Sequence, residues 1–356
     1  MVGVKKKQYK KQRFLCLSCK KSFTQKQSKS IGQALQRVLV KDSLEGRSSI
    51  RTIARRKKLS KTTVSLAVLK VAKESKGSIW IARHLKPSWG HVLSVDGKII
   101  RVFDPLANEF IGSGSEKAHL LKKTWLCGVD VITKDLPHYR VVEGETKIDL
   151  YEYFKTLKNE VGYDLKVLVC DGNPETMEGA KRIYGSDIGI QLCVRHFIET
   201  LKTIAREERR EERKITENLV GYIWLALSMK KEEECLEQLR VLQTLVKTRC
   251  QKLIMQSLNQ HLFLLTTHFR FHDRFFVPRY NNDAENLFKQ LSLRLKSWNM
   301  FRNKENAEHY LKTWALARRF TKFTDCKGDM NRLKNGKAPL ELAGVDIRGI
   351  DYLNLK

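Results

Sequence analysis

Between His91 and Cys193 the chain alternates short apolar runs with stretches of helical periodicity. The runs at His91–Asp96, Trp125–Thr133, Tyr139–Glu143, Leu165–Cys170 and Ile188–Cys193 have the length of buried strands. Two helices are expected among them. One covers Asp149–Gly162, with Leu150, Tyr153, Phe154 and Leu157 on one face, and the other covers Glu175–Tyr184. The order is therefore three strands, helix, strand, helix, strand. Helices that connect strands act as crossovers, so this order predicts an α/β layer built on a mixed, partly parallel sheet of five strands.

What surrounds this core is basic. The chain carries 68 Lys and Arg against 39 Asp and Glu, a net charge of +29 over 356 residues. Self-repulsion on that scale disfavours a compact state unless a polyanion is near, which points to nucleic acid ahead of a membrane surface. No uncharged apolar run approaches the ~18 residues of a membrane span. No apolar run follows the basic N-terminus, so no signal peptide is expected, and a reducing cytoplasm fits the scattered cysteines.

The first forty residues hold no acid. Within them Cys16 and Cys19 stand at C-x-x-C spacing, which supplies two ligands of a tetrahedral zinc site. A full ribbon needs a second pair, and none stands upstream, so a zinc knuckle and a metal-free half-ribbon both stay open. Ser48 to Glu74 reads as two short helices around a turn at Leu59-Ser60, with Ile50, Ile53 and Ala54 inward on the first. Val64, Ala67, Val68 and Val71 are inward on the second, and Ser60 is its expected N-cap. Lys61, Thr62 and Thr63 then face out at the start of a recognition-type helix, beside the cations Arg51, Arg55 and Arg56 that phosphate contacts require. Any helical hairpin shares the apolar pattern; the charge is what favours DNA.

From Phe197 to about Phe271 the pattern is helical, and Arg206–Lys214 is a mixed-charge run of a solvated helix face. Further helices are expected from near Asp283 and over Lys304–Phe323, followed by a polar, irregular tail.

Two aspartates interrupt apolar runs just before glycine, Asp96-Gly97 and Asp171-Gly172. Asp-Gly is also a hairpin dipeptide, and Ile99–Phe103 would serve as the returning strand for the first. Asn173-Pro174 leads into a helix instead, so Asp171 sits where α/β sheets bind ligands. Glu285 shares a helix face with Lys289, Ser292 and Lys296, while Leu287, Leu291, Leu295 and Trp298 form the other face. Dipole complementation alone accounts for a Glu in a first turn. Several carboxylates converging would hold Mg²⁺ ions, and a pair of such ions clamps an in-line phosphoryl displacement.

These segments together resemble the DDE transposases with a ribonuclease-H-like catalytic domain, and among them the mutator-like insertion-sequence enzymes. Four segments carry the resemblance: Val95-Asp96-Gly97, Val169-Cys170-Asp171-Gly172, Gln191-Leu192-Cys193-Val194-Arg195-His196, and Asn282-Asp283-Ala284-Glu285-Asn286 followed by Leu293-Arg294-Leu295-Lys296. It extends from the knuckle at Cys16 to Pro339-Leu340-Glu341-Leu342-Ala343-Gly344.

The resemblance implies that Asp96, Asp171 and Glu285 bind two Mg²⁺ ions, with Mn²⁺ as a substitute. It implies cleavage and joining of double-stranded DNA at transposon ends and target by a dimer or higher assembly in a prokaryotic cytoplasm. His196 would sit near the scissile phosphate, or merely cap a strand-to-helix turn, and Cys193 would support that loop. Asp130 also interrupts a strand, and Asp96 is preferred to it. The implied layout is a basic arm to residue 40, a helix-turn-helix over 41–85, and a catalytic domain over 86–196 and 279–325. An all-helical insertion at 197–278 divides that domain, and a tail begins at 326. A repurposed chain that holds DNA without cutting it is the alternative.

Overall fold

The computed structural model describes residues 31–45, 48–103, 120–296, 298 and 301–355, together with two short segments at 13–15 and 22–24. Those two segments are strands β1 (Arg13–Leu15) and β2 (Ser22–Thr24), paired antiparallel with Phe14 opposite Phe23. Cys16 and Cys19 lie outside the described residues.

Three helices follow: α1 (Gln33–Leu44), α2 (Ile50–Arg56) and α3 (Lys61–Glu74). Ser49 Oγ accepts the Thr52 N–H at 3.1 Å and Ser60 Oγ the Thr63 N–H at 3.0 Å, so each short helix starts on a side-chain cap. Lys58, at φ 51°, makes the left-handed turn between α2 and α3. The boundary expected at residue 40 falls inside α1. After α4 (Ser78–Leu85) the main sheet begins.

Its strands are β3 (Val92–Phe103), β4 (Leu120–Asp130), β5 (Tyr139–Val142), β6 (Val167–Cys170) and β7 (Gly189–Leu192), in the spatial order β5-β4-β3-β6-β7. β3, β4 and β5 pair antiparallel, while β3–β6 and β6–β7 pair parallel. The parallel pairs are joined through helices α5 (Lys147–Asn159) and α6 (Pro174–Tyr184), as crossovers require. This is a mixed five-stranded α/β sheet.

One expectation is corrected here. β3 does not turn at Asp96-Gly97; it runs on to Phe103, because β4 pairs with it from Leu93↔Asp130 to Phe103↔Leu120. β6 accompanies it only over Val92–Ser94. Between Ser94 and the parallel bridge of Val102 with Phe301 no described strand covers the β6-side edge of β3, and Asp96 stands in that gap.

Alternation sorts the two faces. Leu93, Val95 and Leu126 enter a core with α5, α6 and the helices of 194–271. Ile100, Val102, Trp125, Cys127 and Val129 enter a second core with the later helices and with α1–α3. The helical stretch comprises α7 (Val194–Arg206), α8 (Arg210–Leu227), α9 (Glu232–Thr244), α10 (Arg249–Leu265) and the short α11 (Thr267–Phe271). Then come α12 (Asn282–Leu295) and α13 (Lys304–Phe320). The tail, expected to be irregular, is instead built: α14 (Asp329–Arg332), α15 (Pro339–Leu342) and a 3-10 turn at Tyr352–Asn354 bury Leu340, Val345 and Tyr352 in the second core. No described helix is long and apolar enough to cross a membrane.

Candidate active site

Asp96 follows Val95 and therefore projects from the sheet face opposite Val95, the face that α12 covers. It sits opposite Cys127 in the β3–β4 register, among the Trp125, Cys127 and Val129 side of the sheet. α12 docks there through Leu287, Phe288 and Leu291, with the Phe288 ring 5.9 Å from that of Trp125. This apolar seam leaves Glu285 part-exposed beside the buried Ala284, where Arg195 and His196 at the start of α7 meet it.

Asn281 fixes the start of α12. It is fully buried; its Oδ1 accepts from Ser94 Oγ, its Nδ2 donates to the Val95 carbonyl at 3.2 Å, and its N–H donates to Cys193 Sγ at 3.3 Å. One side chain thus ties the helix of Glu285 to the strand of Asp96, while its backbone reaches the β7–α7 corner.

Asp171 follows β6 and accepts the Asn173 N–H at 3.1 Å. Asn173 then caps α6 and donates through Nδ2 to Glu145 Oε2 at 3.0 Å. Glu145 is an acid that sequence reasoning passed over. A Cβ placed on Gly97 would lie 2.0 Å from Glu145 Oε1, so this carboxylate lies against the β3 backbone beside Asp96. The available signals were weak: a Glu just ahead of a helix cap, and a glycine within a strand.

The Asp96 carboxyl is pushed up to about 7. Burial is the main cause; the Gly97 N–H, donating at 2.7 Å, opposes it, and the charges of Asp171 and Glu145 add to it. The charges of three acids therefore act together near the end of β6, and among the described residues no Lys or Arg pairs with Asp96.

Glu285 has different neighbours. Arg195 Nη1 holds its Oε2 at 3.2 Å and His196 Nε2 lies 3.9 Å from Oε1. Glu285 Oε1 and His196 Nδ1 are buried with no hydrogen-bond partner among the described residues. His196 is raised to about 9, first by its hydrogen bond with Cys193, with desolvation opposing and the charges of Cys193, Asp171 and Glu285 assisting. Burial pushes the Cys193 thiol up, but bonds from His196 and the Asn281 N–H outweigh it and leave it below its ordinary value.

Asp96, Asp171 and Glu285 are thus brought to one region, yet not into contact. Among the described residues, the one group of three with ligand atoms mutually within 4.8 Å is Cys193, His196 and Glu285. His196 links the two halves, since its charge acts on Asp96 and it responds to Asp171 and Glu285.

Asp130, the competing aspartate, is structural. It is fully buried, its Oδ1 accepts the Thr133 N–H and hydroxyl, both at 2.8 Å, and its Oδ2 accepts the Gly90 N–H at 2.8 Å and the Tyr163 hydroxyl at 2.7 Å.

The expected DNA contacts fall on two surfaces. Lys289 and Lys98 line a cleft of about 550 Å³ with Glu285, and Lys296 is exposed one turn past the Ser292 end of that cleft. Arg51, Arg55, Arg56, Lys61 and Thr62 are exposed on α2 and α3. Thr63 does not face out as expected: it is half-buried and its hydroxyl bonds Ser60 Oγ at 2.7 Å. The exposed side of α3 also forms one wall of a cleft of about 790 Å³, with Arg302 and the start of α13 opposite Lys61, Thr62 and Lys70.

No protein-family model matches this chain, and no curated protein matches its sequence.

Proposed function

We propose that this chain is a Mg²⁺-dependent transposase with a ribonuclease-H-like catalytic domain. In this reading it cuts DNA at the ends of a mobile element and joins it to a target. The observation that carries the reading is the carboxylate group at the open edge of β3. In a chain of net charge +29, the charges of Asp171 and Glu145 act on a buried Asp96, and among the described residues the positive charge acting on it is that of His196, with no Lys or Arg beside it. Such a group suits hard divalent cations, which take oxygen donors. Asp96 and Asp171 would hold one ion, and Glu285, through its unpartnered Oε1, would contribute to the second.

Two such ions, when bound, supply a nucleophilic oxygen at neutral pH and neutralise the charge that develops on the phosphoryl oxygens. The protein's own residues do the rest. Asn281 holds Glu285 against the strand of Asp96. Arg195 and a protonated His196 present positive charge beside Glu285, where a phosphodiester must lie. Lys98 and Lys289 extend that charge along the cleft. The cations of α2, α3 and Arg302 bind duplex at a distance from the acids, with affinity that falls steeply with salt.

A chain that binds DNA without cutting it is the second reading. The ion pair between Arg195 and Glu285, which competes with a metal for that carboxylate, favours it.

The test is nicking of a plasmid that carries this gene with its native flanks, with Mg²⁺, Mn²⁺ or EDTA. Metal-dependent nicking that Asp96→Asn, Asp171→Asn and Glu285→Gln each abolish, with DNA binding retained, supports the transposase. Full nicking in Asp96→Asn would overturn the assignment. Binding without nicking under any metal would establish the second reading.

A further inference from the structure

We infer that Cys193, His196 and Glu285 form a separate site for a thiophilic divalent cation of the zinc class. The inference adds to the function proposed above, and only its regulatory consequence rests on that reading. The three ligand atoms lie within 4.8 Å of one another. Zinc bonds of roughly 2.0–2.3 Å in a tetrahedron set ligand–ligand edges of about 3.5 Å. The His196 Nε2 to Glu285 Oε1 separation, 3.9 Å, is already close to that edge. The donor set is one sulfur, one imidazole nitrogen and one carboxylate oxygen. That combination suits zinc and does not suit Mg²⁺, which takes oxygen and water.

Two further observations point to a missing ligand. Glu285 Oε1, the oxygen nearest His196 Nε2, is buried without a hydrogen-bond partner among the described residues, a costly condition in a native site. The outer faces of two of the ligands are already held: Asn281 N–H donates to Cys193 Sγ at 3.3 Å, and Arg195 takes the other Glu285 oxygen at 3.2 Å. Outer partners of this kind orient ligands around zinc. Cys193 is also the N-cap of α7, where no side chain satisfies the helix end and the dipole favours a thiolate. On binding, His196 and Cys193 release to solvent the protons they carry, so that a neutral imidazole, a thiolate and a carboxylate ligate, and the two anions neutralise the dication. Three protein ligands leave a fourth position open to water.

The consequence is competition. A cation held here keeps Glu285 at the β7–α7 corner and withdraws it from Asp96 and Asp171, so zinc lowers the proposed metal-dependent cleavage.

The test uses the full chain with Co²⁺ as a spectroscopic probe, in a Cys16→Ser/Cys19→Ser background that removes the other paired thiols. Thiolate-to-cobalt absorption at one equivalent, absent once Cys193→Ser is added and at least tenfold weaker in apparent affinity with His196→Ala, supports the site. No such absorption in the background protein, or absorption that survives Cys193→Ser, overturns it. These readings need no cleavage, so the site and the proposed reaction fail independently. Where nicking is present, micromolar Zn²⁺ lowers the Mg²⁺-supported rate at least tenfold in the background protein. Equal zinc sensitivity after Cys193→Ser would refute the competition.

Discussion

Asn281→Ala tests whether the helix carrying Glu285 is held to β3 by one polar side chain. The residue is fully buried, and the substitution deletes both the acceptor for Ser94 Oγ and the donor to the Val95 carbonyl. Each buried group left unsatisfied costs about 1–3 kcal/mol, so the loss should be about 3 kcal/mol, a large share of a typical domain's stability. The backbone N–H to Cys193 Sγ survives, so α12 should loosen rather than detach. Urea titrations of the wild type, Asn281→Ala, Ser94→Ala and the double variant give the coupling. Because Ser94→Ala removes one of the orphans that Asn281→Ala creates, the double variant should be more stable than the sum of the singles predicts, by about 1 kcal/mol. A loss below about 1 kcal/mol in Asn281→Ala, or single effects that add to within about 0.3 kcal/mol, would refute the tether.

Three other perturbations follow from the same geometry. Gly97→Ala places a methyl on Glu145 Oε1 and 2.7 Å from Thr124 Cγ2, so Glu145 must swing away. We expect a cost of about 1–3 kcal/mol and weaker divalent binding by calorimetry; unchanged binding would remove Glu145 from the site. Arg319→Met strands Asp135, a fully buried acid that Arg319 grips at 2.7 and 2.6 Å, and should cost about 3–5 kcal/mol in denaturant unfolding, with a loss under about 1 kcal/mol contradicting this. Burial, with Arg140 assisting, lowers His138 to about 3, against about 6.5 when unfolded. The unfolded chain therefore takes up the proton first as pH falls: stability is fully present above about pH 6.5 and declines below it by about 1.4 kcal/mol per unit, or about 3 kcal/mol by pH 4.5. His138→Gln should flatten that decline; an identical pH profile in the variant would exclude His138 as its source.

The strand and helix order was legible because each element carries its own period: Val167–Cys170 is wholly apolar, and α5 repeats every three to four residues. Asp171 was legible for the same local reason, since Asn173-Pro174 announces a helix behind it. The course of β3 was not. Whether Asp96-Gly97 turns or continues is decided by β4, some thirty residues away, whose pairing runs through it. Glu145 and Asn281 were hidden likewise: Glu145 becomes a neighbour of Asp96 only once β5 and α5 are placed, and Asn281 acts across a sequence separation of 187 residues. The tail misled through its glycines and polar residues, which hide that Leu340, Val345 and Tyr352 pack into the second core.

Environment separates the acids that build the fold from those offered to a ligand. Asp130 accepts from backbone amides and hydroxyls on both oxygens, Asp135 is matched bidentately by Arg319 and by Trp89 Nε1 at 2.9 Å, and Asp283 takes both its bonds from Lys134, at 2.8 and 2.7 Å. Each of these charges is satisfied by the chain itself. Asp96, by contrast, has one N–H from its own neighbour, feels the negative charges of Asp171 and Glu145 against the positive charge of His196, and through burial is only part-ionised near pH 7. A chain with 68 Lys and Arg places none of them beside Asp96 among the described residues. That it places carboxylates instead is the physical ground for treating this edge of β3 as a receptor for positive charge supplied from outside, and the basic surfaces around it as the receptor for the polyanion that accompanies it.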